Sequence, residues 1–309
     1  MTELPSPLVS AQWLSANLDA PKDAGGLVVL DASFHLPAAA RDAAAEFAAA
    51  HIPGARFLDL ASLFDAASLV PYAFPTPQQL AERLASLGVA PDAAIVVCDD
   101  SAIRTSARAW FVLTASGRQN VAILDGGLGK WRSQGRALES GSPDIAPGIA
   151  ADIAAGIAPA APAAPAALAA PAQVRSKADM LANLSSRAEQ VLDARGADRV
   201  YGSGIDPVHG GPNGRIPGAL NLPFNQLLDA DGTYKSPEEL RAAFIAAGID
   251  LDAPVTATCG SGVTASVLVF AMHLLGKRDA ALYDGSWSEW GADPVTPKAQ
   301  GPNTGGPAA

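Results

Sequence analysis

The feature that most limits what this chain can fold into is an internal repeat of about half its length. Val28-Val29-Leu30-Asp31-Ala32 returns as Gln190-Val191-Leu192-Asp193-Ala194, and His51-Ile52-Pro53-Gly54-Ala55 returns as Arg215-Ile216-Pro217-Gly218-Ala219. Pro77-Gln78-Gln79-Leu80 answers Pro237-Glu238-Glu239-Leu240. Ala122-Ile123-Leu124-Asp125-Gly126-Gly127, followed by Trp131, answers Ala281-Leu282-Tyr283-Asp284-Gly285-Ser286, followed by Trp290. Asp31 and Asp193 stand 162 positions apart, Pro77 and Pro237 stand 160 apart, and Asp125 and Asp284 stand 159 apart. Blocks that keep both order and spacing mean that one folding unit occurs twice.

Residues 1–140 are therefore expected to form an N-terminal domain and 173–298 a C-terminal one. Residues 141–172 between them are rich in Ala, Pro and Gly and lack Lys and Arg. Recurrent Pro removes backbone donors and blocks continuous helix, so this stretch reads as a linker, with room for a short helix near Ala166–Ala170. Residues 299–309 bring little to bury and read as a flexible tail. Within each copy, short apolar runs alternate with helical patterns. Leu27–Leu30, Ala94–Val97 and Val121–Leu124 read as buried strands, as do Val191-Leu192, Val255–Thr258 and Ala280–Tyr283. Thr76-Pro77 and Ser236-Pro237 each place a capping residue before a proline at the first helical position. Alternating strand and helix implies an α/β fold, two tandem domains each with a mostly parallel sheet and helices on both faces. Ligands of such sheets sit beyond the carboxyl ends of the strands.

Composition narrows the function. The chain has 309 residues and a formal charge of −10, which argues against a nucleic-acid partner or an anionic membrane surface, since both need clustered Lys and Arg. The apolar stretch from Val255 to Leu275 is broken by Gly260, Ser261, Gly262 and several threonines, so it reads as strand, loop and helix rather than a membrane span. Residues 1–20 carry Glu3 and Asp19 and lack a basic start, which is not the pattern of an export signal. With two cysteines, Cys98 and Cys259, there is no disulfide framework and no zinc spacing; reduced thiols in the cytoplasm are expected.

The most chemically telling segment follows the strand Val255–Thr258: Cys259-Gly260-Ser261-Gly262-Val263-Thr264-Ala265, then an apolar helix over Ser266–Leu275. Two glycines let the loop curl so that several backbone N–H groups face one point, and the helix start adds partial positive charge. Both favour a thiolate at Cys259. The competing reading is a buried small hydrophobe, the usual fate of a free cysteine. A Cys-x5-Arg phosphate loop would need arginine at 265, where Ala265 stands, so phosphatase chemistry is excluded.

Cys259-Gly260-Ser261-Gly262-Val263-Thr264, with Asp284-Gly285-Ser286-Trp287-Ser288-Glu289-Trp290 downstream, resembles the two-domain rhodanese family of sulfurtransferases, in particular its 3-mercaptopyruvate branch. Asp31–Pro37, the His51-Ile52-Pro53-Gly54 turn and Leu124-Asp125-Gly126-Gly127 extend the likeness to the first copy. The resemblance implies two rhodanese-like domains and a reaction in which Cys259 takes the sulfur of 3-mercaptopyruvate, releases pyruvate and passes the sulfur from a persulfide to a thiol, thioredoxin or cyanide. Converging N–H donors suit such an anion. It implies no metal or organic cofactor. Two alternatives stand beside it: a thiosulfate:cyanide sulfurtransferase, and a non-enzymatic persulfide carrier. Gly260 and Ser261 are neutral, where the thiosulfate type carries basic residues, and this favours a keto-acid donor.

The resemblance also distributes roles. Gly260, Gly262, Val263 and Thr264 would line the substrate loop. Arg199 matches the arginine expected to hold the substrate carboxylate by a bidentate contact; Arg195, beside Asp193, is the comparison and would pair with an acid. A second substrate arginine is missing between Ser203 and Asn213, where Val208 and His209 stand. A Ser–His–Asp relay would place Ser261, His51 and Asp42 in the protonation of the departing enolate. The competing reading makes His51 a turn residue and Asp42 a helix cap. Asp99 aligns with Cys259, so the first copy carries a carboxylate where the second carries the nucleophile, and Cys98 is structural. Asp284, Trp287 and Trp290 read as core and capping residues.

Overall fold

The computed structural model describes residues 3–18, 26–141 and 172–301. The expected linker, apart from its end residues Gly141 and Ala172, lies outside the described residues, as do 302–309. The chain divides into two compact units: unit 1 takes its described residues from Met1–Asp65 and Phe74–Pro171, and unit 2 from Ala66–Ala73 and Ala172–Ala309. Ala66–Ala73 thus depart from the division expected at residue 140.

Unit 1 is built on β1 (Leu8–Val9), β2 (Leu27–Asp31), β3 (Arg56–Phe57), β4 (Ala94–Cys98) and β5 (Val121–Leu124), in the order β1-β5-β4-β2-β3. Unit 2 repeats this with β6 (Val174–Arg175), β7 (Gln190–Asp193), β8 (Leu220–Asn221), β9 (Val255–Thr258) and β10 (Ala281–Tyr283), ordered β6-β10-β9-β7-β8. Every named pairing is parallel. The registers match as well: Asp31 pairs with Cys98 in one sheet and Asp193 with Thr258 in the other. The residues one step beyond the central strands, Asp99 and Cys259, are therefore structural equivalents.

The central strands are buried along their whole length, which is why their sequences are continuously apolar or small rather than alternating. Helices between the strands start where the sequence signals them. The hydroxyl of Thr76 accepts from Gln79 N–H, and the Gln79 side chain accepts from Thr76 N–H. Ser236 and Glu239 form the same reciprocal box, satisfying N–H groups that a helix start would leave open. Trp131 closes the core of unit 1 and Trp290 that of unit 2; both are almost fully buried.

The described start of the expected tail, residues 299–301, is held by backbone hydrogen bonds. Ala299 exchanges two backbone hydrogen bonds with Arg215, at 2.9 and 3.0 Å, and Gly301 N–H donates to the Tyr201 carbonyl at 3.0 Å. Backbone pairing needs no apolar side chain, so composition gave no sign of it.

Candidate active site

The site is assembled at the carboxyl end of β9. Cys259 is 1% exposed and is held at both ends of its peptide unit. Its N–H donates to Ser286 Oγ at 3.2 Å, whose hydroxyl donates onward to the Tyr283 carbonyl at 2.8 Å. Its carbonyl accepts from Trp287 N–H at 3.0 Å, and the Gly260 carbonyl accepts from Ser288 N–H at 2.8 Å. The strap from β10 into the helix α10 (Ser286–Trp290) therefore fixes the cysteine backbone.

After Cys259 the loop turns tightly. Gly262 has φ 77°, a left-handed conformation that a side chain would strain by about 1–2 kcal/mol. Gly260 is constrained differently, by space: a Cβ there would lie 2.0 Å from His209 Cε1 and 2.6 Å from Nε2. Val263 is buried and Thr264 precedes the helix α9 (Ala265–Leu274). Ser266 Oγ donates to the Gly262 carbonyl at 3.0 Å and holds the loop against that helix. Among the described residues, the N–H groups of Gly260, Ser261, Gly262, Val263 and Thr264 donate to no protein acceptor. Five open donors beside a thiol make a receptor for an anion.

The equivalent loop of unit 1 is already filled. Asp99 Oδ1 accepts from Ser101 N–H and Oδ2 from Ser106 N–H, both at 2.8 Å. Burial pushes the Asp99 carboxyl up against the pull of those N–H groups. Cys98, one place earlier, is fully buried, and burial followed by the neighbouring Asp31 and Asp99 charges pushes its thiol well up. The first copy thus supplies its own internal occupant where the second leaves donors open.

A buried charge cluster stands behind the cysteine loop. Arg195 binds Asp193 through Nε and Nη2, the latter at 2.7 Å, and lies 4.5 Å above the Trp287 ring. Burial works against the Arg195 charge, but Asp193, Asp206 and the Cys259 sulfur together raise it above the ordinary arginine value. Arg199, from the short helix α7 (Ala197–Tyr201), donates to Asp206 through Nε at 3.1 Å and Nη2 at 2.8 Å. Burial alone would raise the Asp206 carboxyl, yet His209, Arg199 and the Val208 N–H hold it well below the usual carboxylate range. Arg199 Nη2 also donates to His209 Nδ1 at 2.9 Å, and His209 covers Gly260. Arg199 and the loop residues Cys259, Gly260, Ser261, Gly262, Val263 and Thr264 thus belong to one neighbourhood of unit 2.

His51 and Asp42 are residues of unit 1 with local partners. Asp42 is exposed and caps the helix α2 (Ala43–Ala49), its Oδ1 accepting from Ala45 N–H at 3.0 Å. His51 is fully buried, its ring stacked on Phe47 at 4.0 Å and its Nδ1 hydrogen-bonded with the Phe47 carbonyl at 2.7 Å. His51 Nδ1 thus has a backbone partner where a relay would put the Asp42 carboxylate. The nine-residue spacing in sequence is consumed by the helix that Asp42 starts.

Ser286 and His209 are the site residues that sequence reasoning did not assign. Ser286 had a signal: it is the place where the repeat changes, since its counterpart is Gly127. Gly127 has φ 58°, and a Cβ there would lie 2.3 Å from the Asp99 carbonyl oxygen. Ser286 keeps the same left-handed backbone at φ 49° and adds the hydroxyl that receives Cys259 N–H. Trp287 and Trp290 are core residues as expected, but Trp287 also holds the cysteine carbonyl.

Two five-stranded parallel sheets of identical order, with a glycine-cradled thiol beyond the central strand of one and a carboxylate beyond that of the other, define a tandem-repeat α/β thiol protein. The rhodanese-like domain model matches residues 10–134 and 176–293. A 3-mercaptopyruvate sulfurtransferase of Rattus norvegicus is 39% identical over 285 residues, 92% of this chain and 91% of that protein. A thiosulfate sulfurtransferase of Gallus gallus is 37% identical over 287 residues, 92% of each. The crystal structure of a 3-mercaptopyruvate sulfotransferase from Escherichia coli superposes with a TM-score of 0.74 at 31% identity, covering 91% of this chain and 99% of that one. The chain belongs to the rhodanese-like family and, with these relatives, to the sulfurtransferases. Among the described residues, no helix is long and apolar enough to cross a membrane and no cluster of side chains could hold a metal ion.

Proposed function

We propose that this chain is a 3-mercaptopyruvate sulfurtransferase with Cys259 as its nucleophile. The observation that carries the reading is the run of five N–H groups from Gly260 to Thr264, directly after the Cys259 thiol in the chain, that meet no protein acceptor among the described residues. The Cys259 thiolate attacks the donor sulfur, the carbon–sulfur bond breaks, and its electron pair moves to the methylene carbon as the enolate of pyruvate. The proton of the donor thiol ends on that carbon, leaving a Cys259 persulfide anion and pyruvate. The open N–H groups stabilise the terminal sulfur, an interaction stronger in the charged product than in the neutral donor thiol. A small thiol, reduced thioredoxin or cyanide then takes that sulfur and restores the Cys259 thiolate.

Arg199 has Nη1 left over after its contacts to Asp206 and His209, and this nitrogen is assigned to the donor carboxylate. Ser261 Oγ is half-buried two residues after the thiol and has no protein partner among the described residues, so it is assigned to the donor carbonyl and the proton that reaches the enolate. His51 and Asp42 are not needed in this scheme. A chemistry that depends on reduced thiols supports the expected cytoplasmic setting.

Thiosulfate is the competing donor, and the Gallus gallus relative keeps it in view. The loop favours 3-mercaptopyruvate: Gly260 and Ser261 offer neutral donors but no cation for a compact dianion. Incubation with 3-mercaptopyruvate and a thiol should release pyruvate, with kcat/KM above that for thiosulfate. No release from the wild type, or full release from Cys259→Ser, contradicts the assignment.

A further inference from the structure

We propose that His209 is a specificity-determining residue of the donor site: oriented by Arg199, its imidazole roofs Gly260 and presents Nε2–H to the carboxylate of a small keto-acid thiol. The inference rests on the sulfurtransferase reading and goes beyond it by assigning the second anchor of the donor.

Four observations carry it. First, the loop bearing His209 is tied down from inside the protein. Asp206, whose side chain is fully buried, accepts through Oδ1 from both Val208 N–H at 2.8 Å and His209 N–H at 3.2 Å. Second, the tautomer is fixed by its neighbour. His209 Nδ1 lies 2.9 Å from Arg199 Nη2 and 3.7 Å from Asp206 Oδ1; the guanidinium can only donate and is the partner within hydrogen-bond distance, so Nδ1 is an acceptor. The ring proton then resides on Nε2. Third, Nε2 has no protein partner among the described residues, while the side chain is 17% exposed, so a donor is left open at the edge of the site. Fourth, that edge lies on the residue after the nucleophile: a Cβ on Gly260 would meet Cε1, Nε2 and Nδ1 at 2.0, 2.6 and 2.9 Å.

The charge balance explains why a neutral donor matters here. Arg195 and Arg199 are offset by Asp193 and Asp206, so the cluster behind the loop carries two charges of each sign. A carboxylate entering beside Arg199 gains one free guanidinium nitrogen, and Nε2–H of His209 is the adjacent second donor. Thiosulfate has no carboxylate, and its oxygens fall to the loop N–H groups instead. The same ring, seated over Gly260, keeps position 260 free of a side chain.

Steady-state kinetics with both donors tests this. His209→Ala should raise KM for 3-mercaptopyruvate about tenfold with kcat within about threefold, the loss expected for one hydrogen bond to a charged group. The ratio of kcat/KM values should move about fivefold toward thiosulfate. His209→Gln, whose amide nitrogen reaches the Nε2 position, should restore most of the affinity. Gly260→Ala should lose activity while His209 is present and recover to the level of His209→Ala in the double variant Gly260→Ala, His209→Ala. An unchanged KM and donor ratio in His209→Ala, or a Gly260→Ala defect that the second substitution does not relieve, overturns the proposal. In either case a wild type that still releases pyruvate leaves the sulfurtransferase reading standing; a wild type that releases none removes that reading first.

Discussion

Ser286 Oγ receives the backbone N–H of Cys259 at 3.2 Å while Ser286 itself stands in the left-handed region at φ 49°. The first copy has glycine at that place and no nucleophile to hold. A serine that accepts this conformation costs stability, and its hydroxyl is what the active copy gains in return. Ser286→Gly should therefore relax the backbone but release the cysteine, giving a folded protein with kcat reduced about tenfold. Ser286→Ala keeps the strain and leaves a buried N–H and the Tyr283 carbonyl unpaired, at about 1–3 kcal/mol. Urea unfolding and kcat measured on both variants check the pair.

Asp206 binds Arg195, Arg199 and two backbone N–H groups from a fully buried position. Its carboxyl is held below the usual range, so it contributes stability above the unfolded value of about 3.9 and loses that contribution as pH falls toward its own lower value. Asp206→Asn should cost about 3–5 kcal/mol at neutral pH, because it strands buried arginine charge. Below pH 4 the variant should show a shallower acid loss than the wild type. Thermal unfolding across pH 3 to 7 reads both effects; parallel curves would contradict the account.

Arg199 serves two neighbours as well as the donor. Arg199→Ala removes the guanidinium from Asp206, from His209 and from the substrate, so KM for 3-mercaptopyruvate should rise about 10- to 100-fold. Arg199→Lys should not restore it, since an ammonium cannot satisfy Asp206 and His209 in one plane. Initial rates against donor concentration check this.

The central strands, the helix caps and the cysteine loop were legible because each is written locally: continuous apolar runs, Thr76-Pro77 and Ser236-Pro237, two glycines after Cys259. The outer strands Leu8–Val9, Arg56–Phe57, Val174–Arg175 and Leu220–Asn221 were not read, since two residues carry no periodicity and their pairing comes from the neighbouring strand. The helix after the loop starts at Ala265, one residue earlier than expected. Pairwise alignment of the copies placed Asp99 opposite Cys259, and the sheet registers give the same equivalence. Contacts between residues distant in sequence were the illegible part. His209 reaches Gly260 from 51 positions away, and no local pattern announces that. Asp42 and His51, close in sequence, each have a local backbone partner, Ala45 N–H and the Phe47 carbonyl.

The central claim is that Cys259 alone holds the transferred sulfur. Intact-mass analysis of the protein after incubation with 3-mercaptopyruvate, with no acceptor present, tests it most directly. One added sulfur atom is expected in the wild type and in Cys98→Ser, none in Cys259→Ser, and the addition should vanish when a thiol is supplied. A wild type that releases pyruvate without ever carrying the extra sulfur, or a Cys259→Ser variant that still carries it, would contradict the account.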